Sequence, residues 1–268
     1  MKNQSKAIAL LLNFAVVIPH MHAQILKNIG QEIEKHAERA LENINSTIST
    51  DSPSTQTTPF KNITSKSTEF IKGNTIIFQD NFEADRLGEM ASKWVTNGTG
   101  NVVEVAGVPG KWLQLHDMNT YKIKNLYKLP ESYTIEYDVL TLVENKNNLQ
   151  LSVGFDYQKG VDKHYFLPQR NPINFKTSFR FNRLEFISQE VENKKESQVE
   201  GNLSSFVNDI MKVRVMVNHN IMKVFVNDYK VLDTEMVNPS SRKYIYFALD
   251  NEQDQGKIYI SNIHIAAP

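Results

Sequence analysis

The sequence contains no cysteine. This absence excludes disulfide bonds, thiolate metal sites, thiol nucleophiles and lipid attachment at an N-terminal cysteine. An exported domain without disulfides has to be held together by its core, which suits a bacterial envelope protein better than a small eukaryotic secreted module. With 40% hydrophobic and 10% aromatic residues among 268, the chain can build such a core over most of its length.

The sequence also lacks an excess of either charge, since 30 lysine and arginine residues balance 30 aspartate and glutamate residues. Proteins that bind nucleic acid or an anionic membrane surface usually carry a basic excess, so we expect neither partner. The seven histidines form no H-E-x-x-H or H-x-x-E-H pattern that would indicate zinc. Serine-hydrolase elbows, phosphate loops and dinucleotide fingerprints are missing as well.

The N-terminal residues show the three-part pattern of a secretory signal peptide. Two lysines precede an apolar run at Ala7–Ile18, and a short polar stretch follows it. The run is too short to span a bilayer comfortably, which favours a cleaved signal over a membrane anchor. We therefore predict a signal peptide at residues 1–23 and export to the periplasm, the outer membrane or the medium, with no transmembrane span in the mature chain.

The next two segments differ sharply in composition. Residues 24–48 keep an apolar stripe at helical spacing, which predicts an amphipathic helix that either mediates self-association or lies on the following domain. Residues 49–72 are rich in serine and threonine, contain two prolines and have few apolar side chains. Such a composition cannot offset the entropy lost on ordering, so we predict a disordered linker over residues 49–72.

From residue 73 to residue 268, short segments alternate between apolar and polar side chains. The clearest is Ser132–Leu142, whose apolar face consists of Tyr133, Ile135, Tyr137 and Val139. About a dozen such segments, separated by turn signals and with no helical window of comparable strength, predict an all-β domain. We expect two antiparallel sheets packed face to face as a sandwich.

Several runs within this region form a recognisable set. They are DNFEADRLGEMASKWVTNGTGNVVEV, PGKWLQLHD, LPESYTIEYDVLT, VNDIMKVRVMVNHNIMKVFVNDYKVLD, YIYFALDN and KIYISNIHI. Over about Thr75–Ile265 the chain resembles the concanavalin A-like lectin/glucanase superfamily, and more closely the laminin-G-like domain of exported Bacteroidota proteins. The resemblance implies a jelly-roll β-sandwich. In many such proteins an OmpA-like peptidoglycan-binding domain follows, and we expect none here because the sequence stops at Pro268.

The outward face of Ser132–Leu142 carries Glu136 and Asp138. Laminarinase-type glycoside hydrolases of the same superfamily place alternating carboxylates on one strand as Glu-x-Asp-x-x-Glu, which supplies a nucleophile and a general acid/base. In this chain the next position on that face is Leu140, so the third carboxylate is missing. We therefore expect no catalysis and treat Glu136 and Asp138 as candidate ligand contacts. The alternative is that they pair with lysine or arginine on a neighbouring strand.

A second group of candidate ligand residues lies in one presumed rim segment. It consists of Asp156, Tyr157, His164, Tyr165 and Arg170, where polar and aromatic side chains mix beside a glycine. Aromatic rings can stack on a sugar ring while neighbouring polar groups bind its hydroxyls. The same composition also suits an ordinary solvated loop. Trp94 and Trp112, in contrast, are expected to be buried.

A structural calcium ion is a further expectation from the resemblance, because related jelly rolls hold Ca²⁺ with oxygen ligands near the chain ends. Asp80 and Asp250 are the candidate ligands, since the first and last strands of this fold usually pair. The predicted function is that of an exported, non-catalytic binding module for a carbohydrate or the cell envelope. One alternative is a structural envelope protein that binds protein partners, and a weaker one is a glycoside hydrolase or lyase.

Overall fold

Two antiparallel sheets, built from strands with alternating side chains, make up the part of the chain that the computed structural model describes. These residues are 58–126, 128–143, 149–161, 172–192, 194–250 and 256–268. The predicted signal peptide at residues 1–23 and the predicted helix at residues 24–48 lie outside them. Over the described ranges, no helix has the length and apolarity needed to span a membrane.

Fifteen strands are described. They are β1 (Thr75–Asp80), β2 (Trp94–Thr96), β3 (Gly100–Val105), β4 (Val108–Leu115), β5 (Asn119–Ile123), β6 (Ser132–Val143), β7 (Gln150–Asp156), β8 (Ile173–Ser178), β9 (Arg183–Ser188), β10 (Lys195–Glu200), β11 (Ile210–Asn218), β12 (Ile221–Val226), β13 (Tyr229–Glu235), β14 (Tyr244–Asp250) and β15 (Gly256–Ala267). A short 3₁₀ turn at Leu203–Phe206 precedes β11.

The strands form an eight-stranded and a seven-stranded sheet. The eight-stranded sheet has the order β13-β12-β11-β6-β15-β4-β3, and β1 also pairs with β15. The seven-stranded sheet has the order β10-β9-β8-β7-β14-β5-β2. Neighbouring strands are antiparallel throughout. The prediction of an all-β, two-sheet antiparallel sandwich is confirmed.

The core lies between the sheets and is filled by every second side chain of each central strand. Tyr133 and Tyr137 of β6 are buried, as the alternation predicted. Their rings meet the opposite sheet edge to face, with Tyr133 5.9 Å from Phe155 and Tyr137 5.2 Å from Phe247 between ring centroids. Such T-shaped pairs are favourable because the positive ring edge points at the negative face.

Residues 58–72 pack against the sandwich, so the prediction of a disordered linker is wrong for this part. We call residues 58–73 the strap. Its anchor is Phe60, which is 2% exposed and lies 5.9 Å from both Phe206 and Tyr229 between ring centroids. The contact requires glycine at 201, because a Cβ there would lie 2.6 Å from Phe60 Cδ1. One well-placed aromatic side chain thus orders a segment whose overall composition is that of a linker.

Beyond Phe60 the strap crosses the outer face of the eight-stranded sheet. The backbone N–H of Ser67 donates to Asp228 O at 2.8 Å, and the N–H of Gly73 donates to Thr134 Oγ1 at 3.1 Å. Ion pairs hold the segment between these two points, including Lys72 Nζ with Glu136 Oε1 at 2.9 Å. The strap then continues directly into β1.

We expect Phe60→Ala to lower the free energy of unfolding by about 3 kcal/mol or more, because it removes a fully buried ring and leaves a cavity. Ile71→Ala is the matched control, since Ile71 belongs to the same segment but is 75% exposed, and it should change stability by less than about 0.5 kcal/mol. Urea unfolding of both variants measures the difference. Equal stability of the two variants would contradict the assignment of Phe60 to the core.

Candidate functional site

Glu136, the first candidate from the sequence, is tied into ion pairs on the outer face of the eight-stranded sheet. Lys72 of the strap lies 2.9 Å away, and His264 Nδ1 lies 3.8 Å from the same carboxylate oxygen. Arg214 of β11 is its cross-strand neighbour. Burial lowers the pKa of His264, and the charge of Lys72 lowers it further, although Glu136 opposes both effects. This carboxylate therefore serves to hold the strap.

Asp138 is likewise engaged by its neighbours. Asn262 Nδ2 donates to Asp138 Oδ2 at 2.8 Å, and Lys212 lies opposite in β11. Burial raises the pKa of Asp138, while the Asn262 hydrogen bond and the charge of Lys212 oppose the rise. The next outward residue, Leu140, packs with Trp112 and Tyr259 in a small apolar cluster. Asp138 thus lies between the strap contacts and an apolar patch, with no carboxylate at the position where a third would be needed.

The outer face of the seven-stranded sheet is different, because small side chains line its centre. One cross-strand row runs Thr120, Ala248, Ser152, and the next contains Tyr246, Gly154 and Asn174. We call these six residues the floor. All of them are buried, and Tyr246 donates its hydroxyl hydrogen to Asn174 Oδ1 at 3.0 Å. Glycine is needed at 154, since a Cβ would lie 2.1 Å from Ile173 O and 2.7 Å from Tyr246 Oη.

Two hydroxyls on this face have no hydrogen-bond partner in the described part of the chain. They are Thr120 Oγ1 on β5 and Ser178 Oγ on β8, and both residues are at least 98% buried. A buried hydroxyl without a partner costs about 1–3 kcal/mol, so such groups usually bind water or a ligand. Together with the buried Ser152, they place three hydroxyl groups on the outer face of this sheet, where the core between the sheets does not need them.

A buried ion pair fixes one end of the floor. Lys122 Nζ lies 2.5 Å from Asp156 Oδ2, and the lysine side chain is 2% exposed. The same ammonium group donates to Gln158 O at 2.9 Å and to Gly160 O at 2.6 Å. One lysine therefore holds both the end of β7 and the start of the connection after it. Asp156, a candidate from the sequence, has this positioning role in the structure.

Tyr157 follows directly and is 50% exposed. Its hydroxyl hydrogen-bonds to Glu190, and the pKa of Tyr157 is raised by burial and by the Glu190 charge. Glu190 is in turn held by the Ser241 hydroxyl, by the Asn238 N–H at 2.9 Å and by Lys243 at 3.7 Å. The ring of Tyr157 is thus an aromatic surface in a fixed position at the end of the floor.

The structure brings together only some of the residues that the sequence indicated. Asp156 and Tyr157 share one end of the seven-stranded sheet, whereas Glu136 and Asp138 lie on the other sheet. His164, Tyr165 and Arg170 lie outside the described residues. Sequence reasoning missed Lys122, Glu190 and Lys243, because nothing in the local sequence indicates that a charged side chain will be buried.

The two candidate calcium ligands do not meet. Asp80 accepts the indole N–H of Trp94 at 2.9 Å and the N–H of Phe82 at 3.3 Å. Trp94 pairs with Ile123 at one end of β5, whereas Asp250 follows Leu249, the partner of Asn119 at the other end. Four residues of strand separate these ends, or about 13 Å. Within the described ranges, no group of three or more His, Asp or Glu side chains could hold a metal ion.

Comparison with known proteins shows the fold and no closer relationship. No protein-family model matches the sequence, and no curated protein matches it. A protein of unknown function with a galectin-like fold from Bacillus subtilis is 9% identical with a TM-score of 0.51, covering 73% of this chain and 97% of its own. The carbohydrate recognition domain of Emp47p is 13% identical with a TM-score of 0.50, covering 70% and 93%. A legume lectin-like domain from Entamoeba histolytica is 12% identical with a TM-score of 0.49, covering 66% and 90%.

We expect Lys122→Met to lower the free energy of unfolding by about 3 kcal/mol, because Asp156 and two carbonyl groups lose their buried partner. Lys124→Met is the control, since Lys124 lies on the same segment but is exposed. The double variant Lys122→Met/Asp156→Leu should recover much of the loss, because it removes the uncompensated charge as well. Equal unfolding midpoints in urea for Lys122→Met and Lys124→Met would contradict a buried ion pair.

Proposed function

We propose that this protein is a carbohydrate-binding module and that its ligand binds on the outer face of the seven-stranded sheet. The observation that carries the proposal is a pair of buried hydroxyls on this face, Thr120 in the floor and Ser178 at the end of β8, which have no hydrogen-bond partner among the described residues. A sugar is a polyol whose hydroxyls both donate and accept hydrogen bonds. Unpartnered serine and threonine hydroxyls are suited to it, since each can act as donor or acceptor.

The end of the floor supplies the apolar part of the recognition. Tyr157 offers a half-exposed ring whose hydroxyl is held by Glu190. A ring that is fixed before binding loses little entropy when a sugar stacks on it. The ion pair of Lys122 with Asp156 keeps the backbone that carries this ring in place. Floor and ring together resemble the usual arrangement of a ligand site, with a few placed polar groups beside an apolar surface.

The similarity to the carbohydrate recognition domain of Emp47p supports this function at the level of the fold. One fold hosts many functions, so the proposal depends on the residues of the floor rather than on the similarity. We further propose that the module is non-catalytic, because neither Leu140 nor Thr141, the position at which Glu-x-Asp-x-x-Glu counted from Glu136 ends, is a carboxylate. Export is proposed on the pattern of residues 1–23 alone.

We expect the full chain to bind at least one neutral glycan in a panel measured by isothermal titration calorimetry. Tyr157→Ala should weaken that binding on the order of tenfold, because it removes the stacking surface. Phe181→Ala is the matched control, since Phe181 is also 50% exposed but lies on the turn at the opposite end of β8 and β9. It should leave the affinity unchanged.

Thr120→Val tests the floor itself. This nearly isosteric change removes a hydroxyl that has no hydrogen-bond partner among the described residues, so it should keep or raise stability. If the hydroxyl contacts the sugar, affinity falls by roughly three- to tenfold. The absence of measurable binding to every neutral plant, algal and host glycan in the panel would refute the proposal. So would equal losses for Tyr157→Ala and Phe181→Ala.

A further inference from the structure

The strap lies across a row of outward side chains on the eight-stranded sheet, and consecutive strap residues contact them in order. We call this row the groove. The groove consists of Glu136, Arg214, Lys223, Phe225 and Lys230, all on the outer face of the eight-stranded sheet. Phe225 points away from the core and yet is only 1% exposed. Outward aromatic residues of a sheet usually stay accessible, so its burial shows how closely the strap covers this groove.

Three subsites lie along the groove in order. Lys223 and Lys230 converge on the Glu69 carboxylate at 2.8 and 2.7 Å, which makes a clamp for one acidic group. Both lysines also pair with Asp233, which keeps them in place when the clamp is empty. Their hydrogen bonds lower the pKa of Glu69 to about 2, so this group stays ionised at any physiological pH.

The second and third subsites follow directly. The ring centroids of Phe70 and Phe225 lie 5.8 Å apart in an edge-to-face arrangement. The Arg214 guanidinium lies over the Phe70 ring, 5.1 Å from its centroid. Arg214 is itself paired with Asp228. Lys72 then pairs with Glu136. Ile71, which lies between Phe70 and Lys72 in the sequence, points into solvent. The groove therefore accommodates an extended segment whose residues follow the order acid, aromatic residue, any residue, base.

The segment that occupies the groove is itself mostly exposed. Between Phe60 and Asp80 no strap or β1 residue is buried, and Ile63, Ser67 and Phe70 are only half-buried. Exposed ion pairs contribute little and are screened by salt. Segments with few buried contacts open locally at low cost. The groove residues, in contrast, belong to the paired strands β6, β11, β12 and β13, whose backbone hydrogen bonds do not depend on the strap.

We propose that this groove is a docking site for an extended peptide segment of a protein partner with the order acid, aromatic, any residue, base, and that residues 69–72 are its intramolecular occupant. A partner segment binds by displacing the middle of the strap, while Phe60 and β1 keep both ends attached. A tethered occupant acts at a millimolar effective concentration or above, so a free peptide competes poorly until the occupant is weakened. This proposal is independent of the glycan site, which lies on the other sheet.

The test uses a fluorescently labelled peptide of residues 66–73 and the full chain, followed by fluorescence anisotropy. The occupant is weakened by the double variant Glu69→Gln/Phe70→Ala, which leaves the anchor Phe60 intact. We expect this variant to bind the peptide at least about tenfold more tightly than the wild-type chain. Binding should weaken with salt, because the clamp acts through charge.

Two controls distinguish binding in the groove from non-specific binding of the peptide. Adding Lys223→Gln and Lys230→Gln to the weakened variant should abolish the gain, and a peptide with lysine in place of its glutamate should not bind. Circular dichroism and the melting temperature establish that each variant is folded. The proposal is overturned if the folded, weakened variant shows no saturable binding up to millimolar peptide. It is also overturned if binding persists without the two lysines.

Discussion

A strand that buries every second side chain in the core points the remaining ones to the opposite face of its sheet, and this constraint governs the whole sandwich. The two sheets meet through their inward residues, so each sheet is left with an outer face that the core does not use. On the eight-stranded sheet, ion pairs, the strap and the apolar cluster around Trp112 occupy that face. On the seven-stranded sheet the centre of that face is buried and combines small residues with polar ones.

The two outer faces therefore differ in how their polar groups are satisfied. Burying Lys122 and the floor hydroxyls is expensive, since each polar group taken from water needs a partner. Lys122 has its partners in Asp156 and two carbonyl groups, and the end of the sheet is rigid as a result. Thr120 and Ser178 lack them in the described part of the chain. Polar groups without partners on the same sheet as a rigid, half-exposed ring are the arrangement expected of a site that binds a polar ligand.

How well the sequence predicted each feature depends on how far apart along the chain the interacting residues are. Alternation along β6 is local, and it correctly placed Tyr133 and Tyr137 in the core. The order of residues 58–72 depends on contacts with residues far along the chain, such as that of Phe60 with Phe206, which the composition of the segment does not reveal. The prediction of calcium ligation by Asp80 and Asp250 depends on how the ends of β1 and β14, in different sheets, are placed, and register is a tertiary property that local sequence does not reveal.

The central claim is that a glycan binds on the outer face of the seven-stranded sheet. Amide NMR mapping tests it most directly, with the isotope-labelled full chain titrated with the tightest-binding glycan of the panel. The account predicts that the largest chemical-shift changes occur at the amides of Thr120, Ser152, Ala248 and Tyr157. Changes confined to the strap, to the eight-stranded sheet or to the turn at Phe181 would contradict it.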